Sequence, residues 1–246
     1  MKIISANWKM NLTPSQTKEY LQGFLPLVED IKDREILLCP PFTSLCVASE
    51  ILKGTHIKLG AQNCHYEPKG AFTGEISLEM LKELGVSYII VGHSERRWIF
   101  GETDELISKK ITACLEAGVR PILCVGERLE EREAGLTFKV VETQVRLALS
   151  GVESYTDDLD IAYEPVWAIG TGNPATPEDA QVVHAYIKDL LQDVNPKHEG
   201  RTRVLYGGSV NPKNAGEFMR MRDVDGLLVG GASLDPESFY QIVKSF

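Results

Sequence analysis

The stretch from Tyr163 to Gly172, YEPVWAIGTG, sets a carboxylate where a short apolar run stops. Ile161, Ala162 and Tyr163 read as a strand that Pro165 ends, since proline has no N–H for a sheet ladder. Beyond Glu164, Trp167 and Ile169 stand beside Gly170, Thr171 and Gly172, the make-up of a mobile and partly apolar flap. A base on a rigid strand end with such a flap suits chemistry from which water is shut out. An ordinary strand end with a surface loop has the same composition, so the decision rests on how the other strands end.

Short apolar runs recur at intervals of about 20 to 40 residues, the rhythm of βα units. They are Ile3–Ala6, Ile36–Cys39, Ile57–Ala61, Tyr88–Val91, Pro121–Val125, Ile161–Tyr163, Val204–Tyr206 and Leu227–Val229. Between most of them the apolar period becomes helical, as in Ala180, Val183, Ile187, Leu190, Leu191 and Val194, or Leu21, Phe24, Leu25 and Val28. Helix starts are marked by Thr13-Pro14, Thr176-Pro177, Asn211-Pro212 and Asp235-Pro236, a capping residue followed by proline at the first helical position. Without a linker or low-complexity stretch, residues 1–246 read as one α/β domain, a closed (β/α)8 barrel. A doubly wound open sheet could also hold eight such units. The barrel is preferred because chemically capable residues follow many of the strands, as they do on a barrel's C-terminal rim.

Those residues are Asn7 and Lys9 after the first run, His93 after the fourth and Glu164 after the sixth. Ser209 follows the seventh, and Gly230 and Gly231 the eighth. Together they suggest proton transfer on a small phosphate ester. Glu164 serves as base, His93 as a hydrogen-bond donor to a carbonyl, and Lys9 as a cation beside developing negative charge. Glycines after the last two strands let backbone amides approach a phosphate. Singly each has a plainer reading: a glycine pair is usually a turn, a lysine a solvated charge, and a histidine structural, as His184 on its apolar stripe. Their joint occurrence in strand order favours the site.

Composition limits the alternatives. The chain has 246 residues, 43% hydrophobic and 25% charged, with net charge −9, which argues against nucleic acid or an anionic membrane as partner. No apolar stretch approaches the roughly 20 residues of a membrane span, and the N-terminus lacks the pattern of a signal peptide. The five cysteines (Cys39, Cys46, Cys64, Cys114, Cys124) include no C-x-x-C pair, so free thiols and a cytoplasmic location are expected, with no metal site at Cys64-His65.

The chain resembles the triosephosphate isomerase family along its whole length. The resemblance is carried by NWKMN (7–11), AQN (61–63), GAFTGE (70–75), VGHSERR (91–97) and CVGE (124–127). It continues through YEPVWAIGTG (163–172), YGGSV (206–210) and VGGASL (229–234). It implies a TIM barrel that interconverts dihydroxyacetone phosphate and D-glyceraldehyde 3-phosphate in glycolysis and gluconeogenesis. Glu164 would carry the proton through an enediolate, a role that general accounts of this enzyme already describe. Neutral His93 would polarise the carbonyl, its imidazolium disfavoured by a helical turn starting in SERR. Asn7 and Lys9 would stabilise the enediolate oxygens, and Gly170, Ser209, Gly230 and Gly231 would hold the phosphate. The resemblance also implies Glu95 beside Lys9, Cys124 packed near the base, no metal or organic cofactor, and a homodimer. In that dimer Gly70–Glu75 would reach the second copy, Thr73 lying near the partner's Asn7 and Glu95. One departure is Asn173-Pro174-Ala175 at the far end of the flap, which bears on flap motion.

Two competitors remain. A sugar-phosphate aldolase of the Schiff-base type needs a nucleophilic lysine in the barrel mouth, where the sixth strand here offers Glu164. A barrel kept as a binding scaffold would not need Glu164, His93 and Lys9 together.

Overall fold

All eight apolar runs are strands. They are β1 (Ile3–Asn7), β2 (Glu35–Cys39), β3 (Lys58–Ala61), β4 (Val86–Val91), β5 (Arg120–Val125), β6 (Asp160–Tyr163), β7 (Val204–Tyr206) and β8 (Gly226–Val229). Each pairs in parallel with the next, and β8 returns to β1 with Ile3 opposite Gly226 and Ile4 opposite Leu227. That last pairing closes the barrel and disposes of the open sheet. The structure is a computed structural model that describes residues 1–152, 158–169, 175–194 and 200–246.

Side chains alternate across the barrel wall. Ile3, Leu37, Ile90, Ile122, Leu205 and Leu228 fill the interior, while Ile4, Leu38, Ile89, Leu123 and Leu227 face the surrounding helices. The described helices are α1 (Pro14–Val28), α2 (Leu45–Leu52), α3 (Leu78–Glu83), α4 (Ser94–Trp98), α5 (Asp104–Glu116), α6 (Leu129–Glu133), α7 (Thr137–Leu149), α8 (Pro177–Val194), α9 (Ala215–Met219) and α10 (Pro236–Val243). Both stripes read from the sequence bury most of their members: Leu21, Phe24 and Val28 on α1, and Ala180, Val183, Ile187, Leu190 and Leu191 on α8. Among the described residues, no helix is long and apolar enough to cross a membrane.

Thr13 and Asp235 accept hydrogen bonds from the third residues of α1 and α10, and Thr176 does the same for Asp179 in α8. Asn211-Pro212 does not start a helix, contrary to the expectation from sequence. Asn211 Oδ1 accepts from the Lys213 and Asn214 amides, forming a turn, and α9 begins only at Ala215. An asparagine side chain can close its own local turn as readily as it caps a helix.

Strands β2, β5 and β6 also begin one residue earlier than their apolar runs, at Glu35, Arg120 and Asp160. These polar residues belong to a charged layer at the barrel's base. Asp160 is fully buried and accepts from Arg203 Nη2 at 2.7 Å and Arg120 Nη2 at 2.8 Å. Arg203 also reaches Glu35 (3.1 Å) and the Tyr88 hydroxyl (2.9 Å), which itself donates to Glu35 at 2.6 Å.

Cys114 packs on α5 as expected, its Sγ 3.8 Å from that of Cys64. His184 is wholly buried, and burial pushes its imidazole down from 6.5 to about 3. The unfolded chain therefore takes up a proton there that the folded chain refuses. Stability is expected to fall as pH drops from 6.5 towards 3, which acid-dependent melting curves of wild type and His184→Gln would measure, the variant losing this part of the slope.

Candidate active site

The ends of the strands converge. Asn7, Lys9, His93, Glu164, Ser209, Gly230 and Gly231 line one cavity of about 250 Å3, joined by Ile169, Gly207, Gly208, Val210, Leu228 and Ala232. Seven of the eight site residues expected from the sequence thus line the same cavity. Gly170, the eighth, lies outside the described residues, as does Pro174. A larger recess, about 910 Å3, lies at the opposite end of the barrel beside Arg120, Arg203, Glu35 and Tyr88. These four groups are already bonded to one another or to Asp160, so the smaller cavity is the better candidate.

Glu164 follows β6 and is 2% exposed. Its Oε1 lies 2.9 Å from His93 Nε2, and its Oε2 accepts the Ser94 amide at 2.9 Å. Two glycines make room for it. A Cβ on Gly126 would fall 1.8 Å from the Glu164 carbonyl oxygen, and one on Gly207 would fall 2.9 Å from Glu164 Cγ.

His93 caps α4, and its Nδ1 accepts the Glu95 amide at 3.2 Å. An accepting Nδ1 carries no proton, so the ring's hydrogen sits on Nε2 and points at Glu164. Burial pushes the His93 imidazole down, but the Glu164 carboxylate outweighs it and raises its affinity for a proton. Burial likewise pushes the Glu164 carboxyl up, and contact with His93 and the Ser94 amide outweighs that and holds it low. The charge of Lys9 also works against the imidazolium, and that of Glu95 works for it.

Lys9 sits in a tight turn after β1 with φ of 53°, in the left-handed region that non-glycine residues seldom occupy. The turn is held by its own amide donating to Asn7 Oδ1 at 3.1 Å. Gln62 Nε2 binds both the Lys9 and Cys39 carbonyl oxygens at 2.9 Å. Strain of this kind costs on the order of 1–3 kcal/mol and persists where the surroundings enforce it. The result aims Lys9 Nζ at the cavity, 2.6 Å from Glu95 Oε1. On the far side, Ser209 Oγ donates to the Ala168 carbonyl at 2.6 Å, tying the strand-7 loop to the turn after Glu164.

Comparison with known proteins agrees with this geometry. The family profile described as triosephosphate isomerase matches residues 2–246. The chain is similar to the protein named triosephosphate isomerase in Aquifex aeolicus, with 69% identity over 245 residues, covering 100% of this chain and 99% of that one. It is similar to those of the same name in Dictyoglomus thermophilum, 52% identical with 99% of each chain covered, and Carboxydothermus hydrogenoformans, 51% identical with 98% and 97% covered. The chain belongs to the triosephosphate isomerase family.

Several contacts of this triosephosphate isomerase family site were not readable as such. Glu127, within CVGE, is fully buried and accepts from the Tyr163 hydroxyl at 3.1 Å and from Trp167 Nε1 at 2.9 Å. It braces Tyr163, the last residue of β6 and the one before Glu164. The Ser94 amide, a backbone group, carries no signal in a side-chain reading. Glu102, Lys110 and Asn63 form a further buried cluster. Lys110 Nζ binds Asn63 Oδ1 at 2.8 Å and Glu102 Oε1 at 2.5 Å, and Arg96 reaches the same Glu102 oxygen at 2.6 Å. Its members are scattered along the chain, Asn63 after β3, Arg96 on α4, Glu102 between α4 and α5 and Lys110 on α5, and only the fold brings them together. Cys124 is buried in the barrel interior, and burial, then the neighbouring Glu164, pushes its thiol well up.

Proposed function

We propose that the chain interconverts dihydroxyacetone phosphate and D-glyceraldehyde 3-phosphate, with Glu164 as the base that carries a proton between adjacent carbons. The observation supporting this most directly is a buried carboxylate, a singly protonated imidazole and a lysine around one 250 Å3 cavity. Glu164 removes the proton next to the substrate carbonyl. His93 Nε2–H and Lys9 Nζ supply hydrogen bonds and charge where the carbonyl oxygen becomes an enediolate oxygen. Asn7 holds the Lys9 turn and faces the same oxygens. The opposite wall, with Ser209, Gly230 and Gly231, takes the phosphate, and Gly170 joins it by resemblance. The carbon acid already adjoins a carbonyl, so this chemistry calls for no metal or organic cofactor. A coupled assay with glyceraldehyde 3-phosphate tests the assignment, and aldol cleavage or inertness in that assay would replace it.

The activity belongs to glycolysis and gluconeogenesis, and the five unpaired cysteines support a cytoplasmic setting. The whole chain serves as one barrel domain, since β1 and β8 are its first and last strands and complete a single sheet.

The working unit is a homodimer through the Gly70–Glu75 arm. All six of its residues are exposed, and Phe72 is 41% exposed. A large apolar side chain on a projecting arm fits a pocket in a second copy better than it fits water. Thr73→Arg is expected to weaken the dimer and activity together, because its bulk and charge enter a packed interface. Light scattering and assays over a range of protein concentration decide this, and a fully active wild-type monomer would overturn it.

A further inference from the structure

Arg132, on α6, stands outside the cavity and touches both sides of the segment that follows Glu164. Its guanidinium lies over the Trp167 ring, 4.3 Å from the centroid. Nη2 donates to Asp179 Oδ1 at 3.0 Å, and Nη1 lies 3.7 Å from Glu127 Oε1. Trp167 belongs to the short turn Val166–Ala168. Asp179 belongs to the cap that starts α8, where its Oδ2 accepts from the Thr176 amide and hydroxyl and its amide donates to Thr176 Oγ1 at 3.0 Å.

We propose that Arg132 is a positioning residue for the cavity. It fixes the Val166–Ala168 turn against the start of α8, and through that turn the Ala168 carbonyl that holds Ser209. This inference rests on the isomerase reading of the site. Among the described residues, Arg132 is the cation paired with the fully buried Glu127, which also accepts from Tyr163 and Trp167. The planar guanidinium can stack on an aromatic face while its edge bonds one carboxylate and pairs with a second, which a lysine ammonium cannot do at once. Losing it releases the turn whose Ala168 carbonyl holds Ser209 on the phosphate side of the cavity, so the effect falls on substrate binding before it falls on proton transfer.

In steady-state assays, Arg132→Ala is expected to raise KM about fivefold while kcat falls about twofold, a split that general destabilisation would not produce. Arg132→Lys keeps the charge without the stack and should recover part of the KM loss. Asp179→Asn removes the charge that Arg132 meets at α8 while leaving one acceptor for the Thr176 cap; it should raise KM about twofold with the Arg132–Glu127 pair intact, which gives a reading even if Arg132→Ala fails to fold. The Trp167 indole N–H resonance, assigned by its absence in Trp167→Phe, should shift in Arg132→Ala and return towards its wild-type position in Arg132→Lys. A wild-type KM in folded Arg132→Ala, or in Asp179→Asn when the alanine variant does not fold, overturns the proposal. So does an unmoved indole resonance. A wild-type protein inactive towards triose phosphates would overturn the isomerase reading instead, and the indole shift would still report on the positioning role.

Discussion

Glu164→Gln is expected to lower kcat by about 10²–10⁴-fold, the range that a positioned acid–base group contributes. Glutamine keeps the shape of the side chain, and its amide oxygen can still accept the Ser94 amide that Glu164 Oε2 accepts at 2.9 Å. It has no basic lone pair for the substrate proton, so the loss falls on kcat. The fold should survive, because glutamine fills the same space and the closure of the barrel does not depend on this side chain's charge. Glu164→Asp should also lose much of the rate, since one methylene less draws the carboxylate back from the proton. Near-normal kcat in a folded glutamine variant removes Glu164 from the role of base.

Asp160→Ala should produce the largest loss of stability. It strips the shared acceptor from Arg203 and Arg120, leaving two guanidinium groups at the barrel's base with fewer partners. Breaking a buried ion pair costs about 3–5 kcal/mol. In a chain of this size that corresponds to a fall in Tm on the order of 10 °C. Asp160→Asn, which keeps the shape and one acceptor, should lose less. Activity below the melting transition should be close to wild type, since the layer lies at the opposite end from the Glu164 cavity. Calorimetry measures the effect, and a Tm lowered by less than about 2 °C would show that the network contributes little.

The barrel was legible because each strand is an apolar run buried on both sides, so helices and strands alternate visibly along the chain. The closing β8–β1 contact was not visible as such and followed from the residues after each strand. Strand starts were missed at Glu35, Arg120 and Asp160, where side chains satisfy one another instead of packing in the apolar interior. At Asn211 the capping pattern was real but closed a turn rather than a helix. In the site, side chains with intrinsic chemistry could be found from strand order alone. Groups that act by holding others could not. Gln62 supports Lys9 through two carbonyl bonds, Glu127 braces Tyr163 and Trp167, and the Ser94 amide holds Glu164, each defined by contact rather than by residue type. The tautomer of His93 likewise required the Glu95 amide to be seen against Nδ1.

The pairing of Ile3 with Gly226 also sets a timetable for biosynthesis. The strand made first has one of its two neighbours made last. At about 5–20 residues per second, roughly 10–45 s separate the two on the ribosome. Throughout that interval one side of β1 offers unpaired amides and carbonyls, an adhesive edge towards any extended chain nearby. Closure then needs a close fit, since a Cβ on Gly226 would fall 2.2 Å from the Ile3 carbonyl oxygen. A chain truncated before residue 226 therefore keeps that edge open, and it should be recovered as aggregate rather than as a smaller soluble fold.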